Sequence, residues 1–357
     1  MAIDGPSGAS AVREGDALDW AAVGGWLRES VPELTGPLNV LQFPHGRANL
    51  TYLIEVGGRR MVLRRPPFGK IAPGAHDMGR EFRVLSRLWR AYDRAPRAYA
   101  FTDDASVAGA ACFVMEYRDG EVIRERLPLS MRDYEQIGRR LKFALTDAMA
   151  DLHLVDPGDC DLDTLGKPDG FVQRQVSGWA RRWTLCAPEA GDPLMYTLAD
   201  RLAKTMPTSR THSIVHNDLK IDNCQFDRCD PDRVKSVFDW DMATLGDPLV
   251  DLGTLLHYVP GPDDPPQITG GVTYPPGFEL PGQTEIAERY RKRTGFDVSD
   301  ITWYLAFARW KTATVYQQLA NRALRGESSD TRSAELGDVV PMLARSAQQL
   351  LDGASLS

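Results

Sequence analysis

Between Ile214 and Asp241 the chain reads IVHNDLKIDNCQFDRCDPDRVKSVFDWD, two apolar, strand-like pieces enclosing a polar loop. Within that loop His216, Asp218 and Asn223 fall in the pattern H-x-D-x-x-x-x-N, and Asp239 follows sixteen residues after Asn223 in the apolar run Val237-Phe238-Asp239-Trp240. Any one of these residues alone reads as a turn residue whose side chain caps backbone groups. Their joint spacing, with Asp239 repeating the polar signal in an apolar setting, argues instead for a functional loop.

The rest of the chain limits what that loop can serve. At 357 residues there is material for two lobes with their own cores. Lys and Arg number 42 against 49 Asp and Glu, a formal charge of -7, so no basic field exists to hold nucleic acid or an anionic membrane. The five cysteines, Cys112, Cys160, Cys186, Cys224 and Cys229, are scattered, which suits reduced thiols better than a disulfide framework. No apolar run approaches the roughly 20 residues of a membrane-spanning helix, and the N-terminus lacks the order of a signal peptide. A cytoplasmic protein without nucleic-acid or membrane partners is expected.

Residues 1–16 are rich in Gly, Ser and Ala and are expected to form a mobile tail. Gly5-Pro6-Ser7-Gly8 resembles the start of a phosphate-binding loop, but the following lysine and preceding strand are missing. A first lobe over 17–117 reads as antiparallel strands at Leu38–Phe43, Tyr52–Val56 and Arg60–Arg64, with Gly57-Gly58 as a hairpin turn. A helix follows over Asp77–Tyr92, then a buried strand at Cys112–Tyr117. From 118 to 357 the chain turns mainly helical, beginning with a long amphipathic helix carrying Ile137, Leu141, Leu145, Ala148 and Leu152. Val259–Gly282, crowded with Pro and Gly, is too long for an ordinary connector. The series Trp303, Tyr304, Phe307 and Trp310 sits at helical spacing and reads as core, and His153 as a hydrogen-bonded core histidine. Cys224, Cys229, His212 and His216 lack the paired spacing of a zinc site.

The loop at His216–Asn223 resembles the catalytic loop of protein kinases and of the aminoglycoside phosphotransferase and choline kinase group, with Asp239 similar to the metal-binding aspartate that follows it. The resemblance covers roughly Leu38–Gly326. It is closest to the branch whose domains also occur fused to acyl-CoA dehydrogenases, in blocks such as Val62–Pro67, Arg80–Phe82, Leu152–Asp156 and Gly246–Leu252. It implies an α+β, two-lobed protein-kinase-like fold with a small antiparallel-sheet N-lobe and a larger, mainly helical C-lobe. It also implies ATP and Mg2+ as cofactors and a small hydroxylated molecule as phosphate acceptor. Phosphoryl transfer requires an acceptor hydroxyl held in line and a divalent cation on the phosphates. By resemblance Asp218 orients the hydroxyl and accepts its proton, Lys220 reaches the transferred phosphate, and Asn223 and Asp239 hold magnesium. His216 is expected to be an internal brace.

The same resemblance assigns Arg64 the place of the phosphate-gripping lysine, paired with Glu81, with Arg65 and Lys70 as alternative cations. Gly46 and Asn49 fall in a turn similar to the Gly-x-Ser-Asn of small-molecule kinases, with Ala48 in place of the serine. Glu116 and Tyr117 resemble the hinge that receives adenine, although a plain strand fits equally. Asp251 sits where this fold holds the catalytic loop's amides, or else serves as a helix N-cap. Acceptors open at this stage are a hydroxy acid or hydroxyacyl-CoA and an aminoglycoside, the latter with Asp263, Asp264 and Glu279 as a thin set of carboxylates. A catalytically weak nucleotide-binding module is the alternative. A protein kinase is less favoured, because the chain runs from Asp239 directly into Gly246-Asp247-Pro248 with no activation loop.

Overall fold

The computed structural model describes residues 8–43, 49–69, 77–124, 127–188, 192–260, 278–327 and 331–356. Its first third is organised by a hairpin. Gly57 and Gly58 take φ of 57° and 83°, the left-handed pair that a tight two-residue turn requires and that only glycine adopts freely. The turn joins two β-rich segments. After α1 (Trp20–Ser30), the strands β1 (Leu38–Gln42), β2 (Leu50–Val56), β3 (Arg59–Arg65), β4 (Ala98–Thr102) and β5 (Cys112–Glu116) form one antiparallel sheet in the order β1-β2-β3-β5-β4.

Alternation along β3 divides its side chains between two layers. Met61 and Leu63 join Val23 and Leu27 of α1 on one face, while Val62 packs with Val84, Leu85 and Leu88 of α2 (Met78–Leu88) on the other. Arg64 therefore lies on the α2 face and Arg65 on the α1 face. Asp77 caps α2 by accepting from the Arg80 amide at 2.9 Å. A short helix, α3 (Ala105–Ala108), bridges β4 and β5.

The remainder is mainly helical: α4 (Ile137–His153), α5 (Phe171–Cys186), α6 (Pro193–Lys204), α7 (Leu249–His257), α8 (Gln283–Thr294), α9 (Ile301–Leu324) and α10 (Val340–Leu351). Two small sheets are set among them, one pairing β7 (Ser213–Val215) with β10 (Thr244–Gly246). The other takes the order β6-β8-β9, from β6 (Glu121–Val122), β8 (Cys224–Phe226) and β9 (Val234–Val237). Every residue of α7 is buried. It lies so close to α9 that a Cβ on Gly253 would meet the Tyr304 carbonyl oxygen at 2.6 Å, a distance no side chain tolerates. Trp303, Tyr304, Phe307 and Trp310 are all buried there, with the Trp303 and Phe307 rings stacked at 5.7 Å.

The architecture is thus the two-lobed α+β arrangement expected. The hairpin, α2, α4 and β5 stand where the patterns placed them, while α1 and β4 are additions. The described part of the supposed tail is a correction. Ser10 bridges Gln42 through both backbone groups, Gln42 also binds the Arg13 amide and the Asp16 carboxylate, and the Tyr52 hydroxyl donates to the Asp16 carbonyl at 2.6 Å. Polar side chains of the sheet supply the ordering that apolar burial does not. The Pro- and Gly-rich stretch expected as a long loop lies, over 261–277, outside the described residues. Among the described residues no helix is long and apolar enough to cross a membrane.

Candidate active site

The loop between β7 and β8 is held from beneath by one carboxylate. Asp251, fully buried on α7, accepts the amide of His216 at 2.6 Å and that of Asn217 at 2.7 Å, one on each oxygen. It is no N-cap, since it lies in the first turn behind Pro248. His153 stands behind it, with Nε2 3.2 Å from Asp251 Oδ2 and Nδ1 2.8 Å from the Tyr290 hydroxyl. Burial opposes the charge on Asp251, yet the hydrogen bond and charge of His153 hold its carboxyl below the usual range. These bonds offset the left-handed backbone of Asn217, φ 67°, whose side chain donates to the Met242 carbonyl at 2.9 Å.

His216 ties this loop to the strand carrying Asp239. Its Nε2 donates to the Phe238 carbonyl at 2.7 Å, which leaves Nδ1 to accept the Asp218 amide at 3.3 Å. The expected brace is therefore present, with its tautomer set by both bonds.

Around Asp218 the expected residues meet. Lys220 Nζ lies 3.1 Å from Asp218 Oδ2, and Asn223 Nδ2 donates to the same oxygen at 3.0 Å and to the Asp218 carbonyl at 2.9 Å. Against the burial that would discharge it, Lys220 is held above the usual lysine range by Asp218. Across the cleft Arg64 Nη1 donates to Glu81 at 2.5 Å and Nη2 to Asp239 Oδ1 at 2.9 Å. Burial works against the guanidinium, but the two carboxylates keep it firmly charged. Arg64 in turn holds Asp239 below the ordinary carboxylate range despite burial. Asp239 also has a left-handed backbone, φ 66°, at the start of the turn Trp240–Met242. Asp241, two residues on, is pushed up to about 6 by burial and by Asp239.

The donor set suits a hard divalent cation. The Asn223 amide nitrogen is turned to Asp218, leaving its oxygen as the coordinating atom, and Asp239 keeps Oδ2 when Oδ1 faces Arg64. Asn49 is buried at the start of β2. Gly46 and Lys70 lie outside the described residues, as do Ala48, Asp263 and Asp264. Arg65 points away, donating to the carbonyls of Pro66 and Ala108 at 2.8 Å on the α1 face. Glu116 has its amide engaged by the Arg97 carbonyl and its side chain by Arg97 and Arg118. Tyr117 follows with its hydroxyl 3.3 Å from Asp119.

Sequence reasoning passed over three buried groups near the loop: Lys142 on α4, His257 at the end of α7 and Lys311 on α9. Their signal was a charged or imidazole side chain on the apolar face of a helix.

The model of the phosphotransferase enzyme family (APH) matches residues 39–279. The chain is 30% identical over 321 residues to acyl-CoA dehydrogenase family member 10 of Mus musculus, covering 88% of this chain and 29% of that protein. It therefore spans under a third of that relative's length. Among solved structures, a Ralstonia eutropha protein described as a candidate aminoglycoside phosphotransferase superposes with a TM-score of 0.77 at 28% identity, covering 95% of this chain and all of that one. Choline kinase from Cryptosporidium parvum shares the fold at a TM-score of 0.59 and 12% identity, over 94% of this chain and 96% of that one.

Proposed function

Since this chain belongs to the phosphotransferase enzyme family, we propose that it transfers the γ-phosphoryl group of ATP, with magnesium, to a hydroxyl of a small molecule. The observation that carries this reading is the convergence of Asp218, Lys220 and Asn223 on one loop with Asp239 and Arg64 across from it. Asp218 has Oδ2 engaged by Lys220 and Asn223, so Oδ1 is the atom to meet an acceptor hydroxyl. As the acceptor oxygen bonds to phosphorus and the bond to ADP breaks, the carboxylate takes the hydroxyl proton. Lys220 meets the charge on the transferred group, and Arg64, fixed by Glu81, holds the nucleotide's other phosphates. Magnesium, when bound by Asn223 and Asp239, neutralises phosphate charge. Glu116 and Tyr117 are the proposed hinge for the base, and Asn49 is proposed to face the phosphates.

The acceptor is a small molecule. The segment after Asp239 goes within a few residues into β10, paired with β7, and offers no platform for a peptide. A hydroxy acid or hydroxyacyl-CoA and an aminoglycoside-like sugar are the two acceptor classes this reading entertains. Incubation with MgATP and a pool of hydroxylated metabolites, followed by mass spectrometry, tests it. Formation of a phosphate ester together with ADP is the expected result, whereas MgATP binding with no transfer to any acceptor would favour the nucleotide-binding alternative.

A further inference from the structure

The cations of the proposed active site have carboxylate partners, whereas Arg65, buried on the α1 face, is held by carbonyl oxygens. Arg64 has Glu81 and Asp239, and Lys220 has Asp218. Two lysines behind the catalytic loop do not. Lys311 is 9% exposed, and its Nζ donates to the carbonyl of Asn217 at 3.1 Å, the residue immediately before Asp218. Lys142 is 1% exposed, and its Nζ reaches the Tyr258 carbonyl at 3.3 Å. Among the described residues no carboxylate comes within ion-pair distance of either.

Near both lies His257, fully buried, with neither ring nitrogen hydrogen-bonded. The charges acting on it are all positive, from Arg309, Lys311 and Lys142. The charges of Asp218 and Asp251 favour the ammonium of Lys311, those of Lys220 and Arg182 oppose it, and Asp222 favours the ammonium of Lys142. Burial lowers Lys142 to about 8 and lowers Lys311 too, the direction for cations lacking a close counter-charge. Carbonyl oxygens satisfy one donor on each ammonium, while each ammonium carries three. A buried cation without a carboxylate is costly and is retained where something depends on it.

We propose that Lys311, backed by Lys142 and His257, seats an anionic group of the acceptor, a carboxylate or a phosphate, while the acceptor hydroxyl meets Asp218. This rests on the phosphotransferase reading above and narrows it. The position follows from connectivity, because Lys311 grips the residue adjoining Asp218 and a short acceptor can reach both. An anion there would supply the missing counter-charge and accept from the unused ammonium protons. A polyamine sugar would meet like charge and be excluded.

The test uses the full chain. MgATP affinity is measured first by calorimetry, so that failure of the nucleotide reading is seen separately. With a non-hydrolysable ATP analogue and magnesium bound, the protein is then titrated with linear hydroxy carboxylates of increasing length, their methyl esters, glycerol phosphate and amino alcohols. Phosphate transfer from ATP to the same compounds is followed by mass spectrometry. We expect a carboxylate or glycerol phosphate to bind about tenfold or more tightly than the neutral esters, the two arms separating the two anions. Lys311→Met should remove that preference with MgATP affinity unchanged, Lys311→Arg should restore part of it, and thermal stability should not fall in Lys311→Met. Equal or better binding of esters or amino alcohols, absence of anion binding in both arms, or a Lys311→Met variant that keeps the preference would each overturn the proposal. A brace for Asn217 alone predicts that last outcome with lowered stability. The comparison of acids with esters in the unmodified protein decides the matter even if the variant fails to fold.

Discussion

Arg64 donates to Asp239 at 2.9 Å, linking the end of a first-lobe strand to the proposed metal-binding carboxylate of the second lobe. One guanidinium thereby spans Glu81 and Asp239, each through a separate nitrogen of the planar fork. Arg64→Ala should weaken MgATP binding by about tenfold or more, and Arg64→Lys should retain part of the affinity. Arg65→Ala, on the opposite face of the strand, should leave nucleotide affinity nearly unchanged while lowering stability, since its buried guanidinium holds the Ala108 carbonyl. Calorimetry on the three variants checks this, and a silent Arg64→Ala beside a damaged Arg65→Ala would refute it.

Magnesium provides a second comparison. Asp239→Ala should abolish metal-dependent ATP binding more completely than Asn223→Ala, because a charged ligand offsets more phosphate charge than an amide. Titration of ATP with and without magnesium reads this directly. Parental MgATP affinity in both variants would remove Asp239 from the metal site.

Asp251→Ala should cost about 3 to 5 kcal/mol, because it strips two buried amides and a buried histidine of their shared acceptor. Urea unfolding measures the loss. A change near zero would mean that water replaces the carboxylate beneath the loop.

His257 sets a pH dependence of stability. Burial lowers it from the ordinary 6.5 to about 3, with Arg309, Lys311 and Lys142 adding to the effect. The unfolded chain therefore binds more protons between these values. The contribution of His257 is full above about 6.5 and is lost as pH falls toward 3. At pH 5 the loss from this group amounts to about 2 kcal/mol, from one and a half pH units at about 1.4 kcal/mol each. His257→Leu should gain stability relative to the parent at pH 5 by about that amount more than at pH 8, as read from urea midpoints. Identical pH profiles would show that His257 is not the group responsible.

Much of the site was legible because its chemistry is local. Asp218, Lys220 and Asn223 share one short loop, whose spacing marks it as functional and whose resemblance supplies the role of Lys220, and the three meet at the Asp218 carboxylate. The pairing of Arg64 with Glu81 followed from the family resemblance, and strand alternation added only that Arg64 and Arg65 face opposite ways. What escaped was long-range. The contact of Arg64 with Asp239 joins residues 175 apart, and Lys311 reaches Asn217 across 94 positions. Lys142, His257 and Lys311 sit on helices whose apolar periodicity hides them, because nothing local reveals that three helices bring these side chains close enough to act on one another. Residues 10–16 escaped for a different reason: their order comes from hydrogen bonds to Gln42 and Tyr52, which composition does not register.

The account stands most directly on Asp218. Asp218→Asn keeps the size and much of the hydrogen bonding of the side chain while removing the proton acceptor. It should leave MgATP affinity close to that of the parent and lower phosphoryl transfer to the acceptor by about two to four orders of magnitude. Single-turnover transfer from labelled ATP, measured alongside nucleotide binding, gives both quantities from one preparation. Transfer at near-parental rates in Asp218→Asn would contradict the assignment of this carboxylate and the mechanism built on it.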